Sequence, residues 1–513
     1  MSAQPPPSDQ DPYLSLDGVR ANLAHRSARS GVVRVSGRGA QMLLGIGSAM
    51  ILARLLTPED FGLLVLANLF IAFVNSFRDM GLKMATVHHD ELTQDQVSGL
   101  FWFNLKLSAA VLIFMLLMAP AFAWLYHDAR LIAIVAVLAL GVLALSLSTL
   151  HEAVLMRQMR FELLASIEAG SLLLGMATGI LAAFAGWGYW ALVLQIMVTN
   201  LGESLGLWLF CSWRPMRLRK PVSILHMLRY GGNYTAYNVL KTVSDNLDRA
   251  LVGLTAGVAA AGLYQNAFRW AFTPLLQIYT PLQGVAVASM SRVKQDAPAY
   301  RAAYHSGLLP VFSLTLPLLV FMAAETRIFI LTLLGPQWTD AIPLFRWLCI
   351  AAIAAGFSQV TSWLYLSQGS THRQLRWGLL ATPLMVIGIV LGFRWGALGI
   401  AIGYTSVRCL LALPEIAFCT HASPLSFSDF LRPAWRPAFA SLAALVILLL
   451  FGNSLTAPAM AIEFVARLSL FAVTFALAWF LLPGGRASAW RLLHLIGAWR
   501  VRRDSRPSAP TLT

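Results

Sequence analysis

The chain has 513 residues, of which 58% are hydrophobic and only 12% charged, about half the share of charge usual in soluble domains. Polar residues are too few to coat several globular domains, so an ordinary soluble enzyme is excluded, and apolar stretches of about 20 residues recur as bilayer-spanning helices require. The 38 Lys and Arg against 23 Asp and Glu leave a net charge of +15; in a membrane protein this marks basic cytoplasmic loops rather than nucleic-acid binding, and no nucleic-acid partner is expected.

The first thirty residues are polar, contain Pro5, Pro6 and Pro7, and show no apolar stretch that would act as a cleavable signal. They read as a disordered cytoplasmic tail. Apolar runs bounded by charge, Pro and Gly then predict about fourteen membrane helices. The first six fall near 32–55, 62–82, 98–124, 131–150, 164–185 and 187–211. Six more fall near 227–254, 260–287, 306–334, 341–367, 374–393 and 396–419, and a last pair near 434–452 and 459–482. The expected organisation is a tail over 1–30, a six-helix bundle over 31–220, a second over 221–422, two additional helices within 423–483 and a basic tail over 484–513.

Loop charge tests this count. With the N-terminus cytoplasmic, the inside segments collect the basic residues, among them Arg157, Arg160, Arg214, Arg217, Arg292, Lys294, Arg373, Arg376, Arg432 and the tail arginines, while the outside keeps Arg54, Arg130, Arg327 and Arg394. The split is about 24 to 4, a strong positive-inside asymmetry that one missed helix would scramble. Both termini are therefore expected in the cytoplasm. No outside loop exceeds about fifteen residues, which leaves little room for an extracytoplasmic active site.

A weak internal repeat accompanies the count. Leu55 to Ala67, containing Phe61-Gly62-Leu63, pairs with Leu254-Thr255 and Ala261-Gly262-Leu263-Tyr264 in the second half, and each follows an Arg and Gly pattern, Arg34 to Gly37 and Arg229 to Gly232. Other signals are sparse. Cys211, Cys349, Cys409 and Cys419 lie in or beside apolar segments without metal or disulfide spacing. His88-His89-Asp90 has no further ligands around it, and no G-x-x-x-x-G-K-[ST] loop is present, so neither metal, cofactor nor ATP is expected. Trp124, Tyr126, Trp187, Tyr189, Trp190, Trp213 and Trp338, near span ends, fit interfacial belts.

Three blocks carry a family resemblance. Ile51-Leu52-Ala53-Arg54-Leu55-Leu56-Thr57-Pro58-Glu59-Asp60-Phe61-Gly62 resembles the first outside turn of bacterial Wzx-type polysaccharide exporters in the MOP flippase superfamily. Asp248-Arg249, Gly262-Leu263-Tyr264, Ala267, Pro281 and Ser291-Arg292 form a second block, and Leu155 to Phe161 resembles the basic turn between helices four and five. The likeness runs from about residue 31 to 480. It implies an all-α integral membrane fold of about fourteen helices in two pseudo-symmetric six-helix bundles plus two C-terminal helices. It also implies a non-enzymatic flippase of the bacterial inner membrane, carrying undecaprenyl-pyrophosphate-linked oligosaccharide outward by alternating access, with a polymerase and polysaccharide export proteins as partners.

A lipid II flippase, a multidrug antiporter and a membrane glycosyltransferase or polymerase are the competing readings. Against the first, Gly45, Gly47 and Ser48 stand where lipid II flippases carry an Arg-Asp pair. Against the second stands the extra helix pair after residue 433. Acidic metal-binding groups or a large outside domain, expected of the third, are not found.

A headgroup with sugars and a diphosphate needs a polar, cationic path through hydrocarbon. Lys241, Asp245 and Arg249 follow one another at i, i+4 on the seventh span, with Asp248 beside them. Lys241 is the expected headgroup contact and Asp245 or Asp248 the expected ion-coupling acid; Arg249 fits a structural role with Arg54, Pro58, Phe61, Gly62, Gly262 and Tyr264. Arg38 near the cytoplasmic end of the first span, and Gln265, Asn266 and Arg269 on the eighth, complete the candidate cavity set. Lys106, Arg346 and Arg408 are further isolated cations, and Asn68, Asn75, Gln195 and Asn200 fit interhelical hydrogen bonding. With no nucleotide site, transport would draw on an ion gradient or the membrane potential.

Overall fold

A computed structural model describes residues 39, 41–78, 93–217, 225–421, 423–455 and 458–490, with the side chains of 76–78, 225–241 and 371 outside the description. The N-terminal tail, Arg34 to Arg38, the His88-His89-Asp90 loop and residues 491–513 lie outside the described residues. Among the described residues there are helices and no strand, which is the all-α membrane class expected.

In chain order, α1 spans Gln41–Leu55, α2 Pro58–Arg78, α3 Gln94–Leu125, α4 Arg130–Arg157, α5 Phe161–Phe184 and α6 Tyr189–Phe210. The helical run Leu225–Arg292 is broken at Gly257, whose φ of 85° and ψ of 179° suit only glycine. It is therefore two helices, α7 over 225–256 and α8 over 258–292. There follow α9 Ala297–Ala324, the short α10 Thr326–Leu333, α11 Ala341–Gln368, α12 Thr371–Gly392, α13 Gly396–Thr420, α14 Phe427–Phe451 and α15 Met460–Leu481.

Among the described residues ten stretches are long and apolar enough to cross a membrane, one of them, His372–Thr420, covering both α12 and α13. The described part of α1 is shorter, and neither α7 nor α8, both expected as spans, is among the ten. Helix starts follow capping chemistry. Thr93 and Gln96 make a reciprocal box at α3, Ser426 and Asp429 another at α14, and the Asp296 carboxylate accepts the Ala299 amide at α9.

The chain divides into two compact units, Met1–Gln265 and Asn266–Thr513. In the first, the core gathers Leu100, Phe101, Leu150, Val154 and Trp213. The α5–α6 hairpin closes tightly because Gly175 and Gly179 of α5 leave room for Gln195 and Thr199 of α6. In the second, Tyr300, Tyr304, Phe312, Trp363 and Phe430 fill the core. A satellite cluster of Phe321, Ala444, Leu448 and Phe471 seats the α14–α15 pair on α9. Large apolar side chains also cover outward faces, for example Leu442, Leu449, Val473 and Leu481, which hydrocarbon rather than water would solvate.

Candidate functional site

The outer-turn motif is first a helix start. The Thr57 amide and hydroxyl both donate to Asp60 Oδ2, at 2.9 and 2.7 Å, and the Asp60 amide donates to Thr57 Oγ1 at 3.3 Å. With Thr57 as cap, Pro58 takes the first helical position and Glu59 and Asp60 meet the positive end of the helix dipole. Glu59 pairs with Arg130 of α4, whose guanidinium also binds Asp128 at 2.7 Å. Those hydrogen bonds from Arg130 hold the Asp128 carboxyl below the usual carboxylate range. Phe61 is buried and Arg54 exposed.

Gly62 is required by a close approach. A Cβ there would run into the carbonyl of Val258 on α8, and one at Gly262 would run into the Pro58 carbonyl and the Gly62 amide. The glycines of the two repeated Gly-Leu blocks thus face one another, so α2 and α8 cross with backbones nearly touching. Gly253 of α7 is close-packed too, against Leu66 and Tyr126.

Beside this crossing lies the acid pair of α7. Asp248, 3% exposed, accepts a hydrogen bond from the hydroxyl of fully buried Tyr264 at 2.9 Å. This bond ties α7 to α8 across the Gly257 turn. Arg249 donates to Asn246 Oδ1 at 2.8 Å and to the Asp245 carbonyl at 2.9 Å, and Asn246 donates to the Thr242 carbonyl. Asp245 is exposed. Lys241 is in helix α7 with its side chain outside the description, and Arg38 is outside the described residues.

On α8, Gln265 is half-buried, Asn266 buried and Arg269 exposed. Arg269 makes no hydrogen bond or ion pair among the described residues. It lies eleven residues from the start of α8, a rise of about 16 Å that reaches the middle of a bilayer. Arg408, at a similar depth on α13, lies over the ring of Tyr404, 5.8 Å from its centroid, and Tyr404 in turn meets the edges of Phe268 and Phe272. Lys106 and Arg346 are exposed, whereas Asn68, Asn75, Gln195 and Asn200 are half-buried.

Three polar groups escaped the sequence reading. Arg467 of α15 bridges Glu325, at 2.9 and 3.0 Å, and Glu463, at 2.6 Å. Glu463 and Arg467 stand four apart in an apolar run, a visible helical pair. Glu415 of α13 accepts from the Thr361 hydroxyl of α11 at 2.9 Å; a lone acid inside an apolar helix is the signal for it. His151, fully buried among Phe101, Trp208 and Trp213, with its ring centroid 4.3 Å from that of Trp208, left no pattern in the sequence.

Among solved structures the fold is that of multi-helix membrane transporters. The chain resembles the lipid II flippase MurJ in its inward closed conformation, with a TM-score of 0.65 at 12% identity over 86% of this chain and 98% of that one. An inward-facing multidrug resistance MATE transporter of the MOP superfamily superposes with a TM-score of 0.58 at 16% identity over 80% of this chain and 98% of that one.

Sequence narrows the class to a family. The pattern of the polysaccharide biosynthesis protein family matches residues 51–343, more than half of the chain, and the chain belongs to that family. It is similar to the lipopolysaccharide biosynthesis protein WzxC of Escherichia coli (strain K12), 20% identical over 79% of this chain and 83% of that protein. The teichuronic acid biosynthesis protein TuaB of Bacillus subtilis (strain 168) is 22% identical over 78% and 83%. The succinoglycan biosynthesis transport protein ExoT of Rhizobium meliloti (strain 1021) is 23% identical over 59% and 61%.

Proposed function

We propose that the protein flips undecaprenyl-pyrophosphate-linked oligosaccharide from the cytoplasmic to the outer leaflet of the bacterial inner membrane, by alternating access and with both termini cytoplasmic. The observation that carries this reading is membership of the polysaccharide biosynthesis family across more than half of the chain. The transporter fold supports translocation rather than sugar chemistry.

In this reading Arg38, Lys241 and Arg269 meet the diphosphate, since guanidinium and ammonium groups make charge-assisted bonds to phosphate oxygens. Gln265 and Asn266 meet the sugars. Asp245 and Asp248 are the ion-coupling acids, and Gly62, Gly262, Phe61, Pro58, Arg54, Arg249 and Tyr264 hold the helices that carry them. The partners are a polymerase and polysaccharide export proteins that take the flipped unit onward.

Leaflet-resolved detection of undecaprenyl-linked oligosaccharide in cells depleted of the protein tests the reading. Complete repeat units should accumulate in the cytoplasmic leaflet and move outward on re-expression. Normal outer-leaflet delivery without the protein overturns it.

A further inference from the structure

One intramembrane acid lies apart from the groups assigned so far. Glu415 follows Pro414 on α13, half-buried, five residues before Thr420 ends the helix and so about 7 Å inside its cytoplasmic end. The Thr361 hydroxyl of α11 bonds both Glu415 Oε1, at 2.9 Å, and the Ser358 carbonyl, at 2.7 Å. The Ser358 hydroxyl and the Trp377 indole of α12 also turn toward the carboxylate. Two helices, α11 and α12, therefore turn donating side chains toward a carboxyl group carried by a third.

The charged and titratable neighbours are few. On α13 itself they are Arg408, seven residues earlier on the same face, and Cys419; α11 brings Tyr365 and α12 brings Arg373. Arg373 is engaged at the Phe418 carbonyl, 2.7 Å away, and over the Phe418 ring. Arg408 is the cation whose field Glu415 shares, two turns up the helix. The Trp377 indole N–H can donate to a carboxylate but offers no lone pair to a metal cation.

We propose that Glu415 is a proton-exchanging carboxyl of the second unit whose charge state sets how strongly Arg408 attracts an anionic headgroup. On protonation an O–H bond forms at one carboxylate oxygen, the Thr361 hydroxyl changes from donor to acceptor, and Glu415 no longer offsets the field of Arg408. On deprotonation the carboxylate takes part of that field. Proton and anion then bind with positive linkage, each raising the affinity for the other by the same factor. The identity of the anion as a lipid diphosphate rests on the flippase reading; the proton site does not.

Two measurements on the full chain in nanodiscs separate these parts. Infrared difference spectra between pH 8 and pH 5 should show a carboxylic-acid carbonyl band that is absent in Glu415→Gln and shifted in Glu415→Asp. Calorimetric titration with farnesyl diphosphate, a water-soluble lipid diphosphate, should show Glu415→Gln binding at least about fivefold tighter than the unsubstituted protein at pH 8 and equally at pH 5. Using the ratio of the two proteins cancels titration of the probe itself. A band that survives in Glu415→Gln overturns the proton site, and a ratio that does not change with pH overturns the link to Arg408. If neither protein binds farnesyl diphosphate at any pH, the diphosphate reading and the link to Arg408 both fall, while the band alone decides the proton site.

Discussion

Tyr264 shows how a residue named in a motif acquires a physical task only in three dimensions. Its hydroxyl reaches a carboxylate sixteen residues earlier, on the far side of the Gly257 turn. Sequence spacing marked Asp248 and Tyr264 separately but could not pair them, because the pairing depends on one glycine backbone angle. Tyr264→Phe keeps the ring and removes the donor, leaving a buried carboxylate short of a partner. Hydrogen bonds to charged groups are worth about 1.5–3 kcal/mol, so Tyr264→Phe should lower unfolding stability in detergent by about that amount; a loss below about 0.5 kcal/mol would show the bond to be dispensable. A weaker effect is expected at the outer turn. Arg130 and Glu59 are roughly half exposed, so Arg130→Ala should cost no more than about 1 kcal/mol. Because Arg130 depresses the folded-state Asp128 value, this contribution is complete above the unfolded carboxylate value near pH 4 and fades as pH falls through the lower folded value. Thermal unfolding should therefore separate Arg130→Ala from the unsubstituted protein at pH 7, and the difference should shrink as the solution is acidified below the ordinary carboxylate range.

At the scale of elements, the apolar helices were legible because a span must satisfy its own backbone and match the bilayer, which leaves a length and composition visible without any partner. The predicted spans over 227–254 and 260–287 correspond to α7 and α8, although the helical run is continuous apart from Gly257. The crossing of α2 and α8 was less legible. The Gly-Leu likeness suggested a repeat, yet nothing in the sequence says that the two glycines face each other. Their packing makes a sharp prediction. A methyl group at Gly62 or Gly262 meets backbone, which no rotamer change relieves, and overpacking typically costs about 1–3 kcal/mol even where side chains can yield. Gly62→Ala and Gly262→Ala should each reduce the monodisperse yield and lower Tm, whereas Gly47→Ala, with nothing within 4 Å of the added carbon, should leave Tm unchanged or raised. Equal Tm values for all three variants would remove the close crossing.

For the whole molecule, the all-α membrane class was legible in composition and apolar runs, but how the last helix pair is held to the second unit was not. That attachment combines the apolar cluster of Phe321, Leu448 and Phe471 with Arg467 between Glu325 and Glu463. The triad is invisible to spacing because Glu325 lies 142 residues before Arg467. All three side chains are mostly buried, Arg467 and Glu325 at 12% exposed and Glu463 at 19%, so removing the one cation strands two carboxylates. Breaking such a network costs about 3–5 kcal/mol when fully buried, whereas replacing every member with neutral groups of similar shape is often nearly neutral. Some remaining exposure places Arg467→Met toward the lower end of that range. The triple variant Glu325→Gln, Glu463→Gln, Arg467→Met should recover most of the loss, and proteolysis of the turn between α14 and α15 should increase in the single variant but not in the triple. If the triple variant is instead the least stable, the ion pairs themselves hold the last helices in place, and the apolar cluster contributes less than its burial implies.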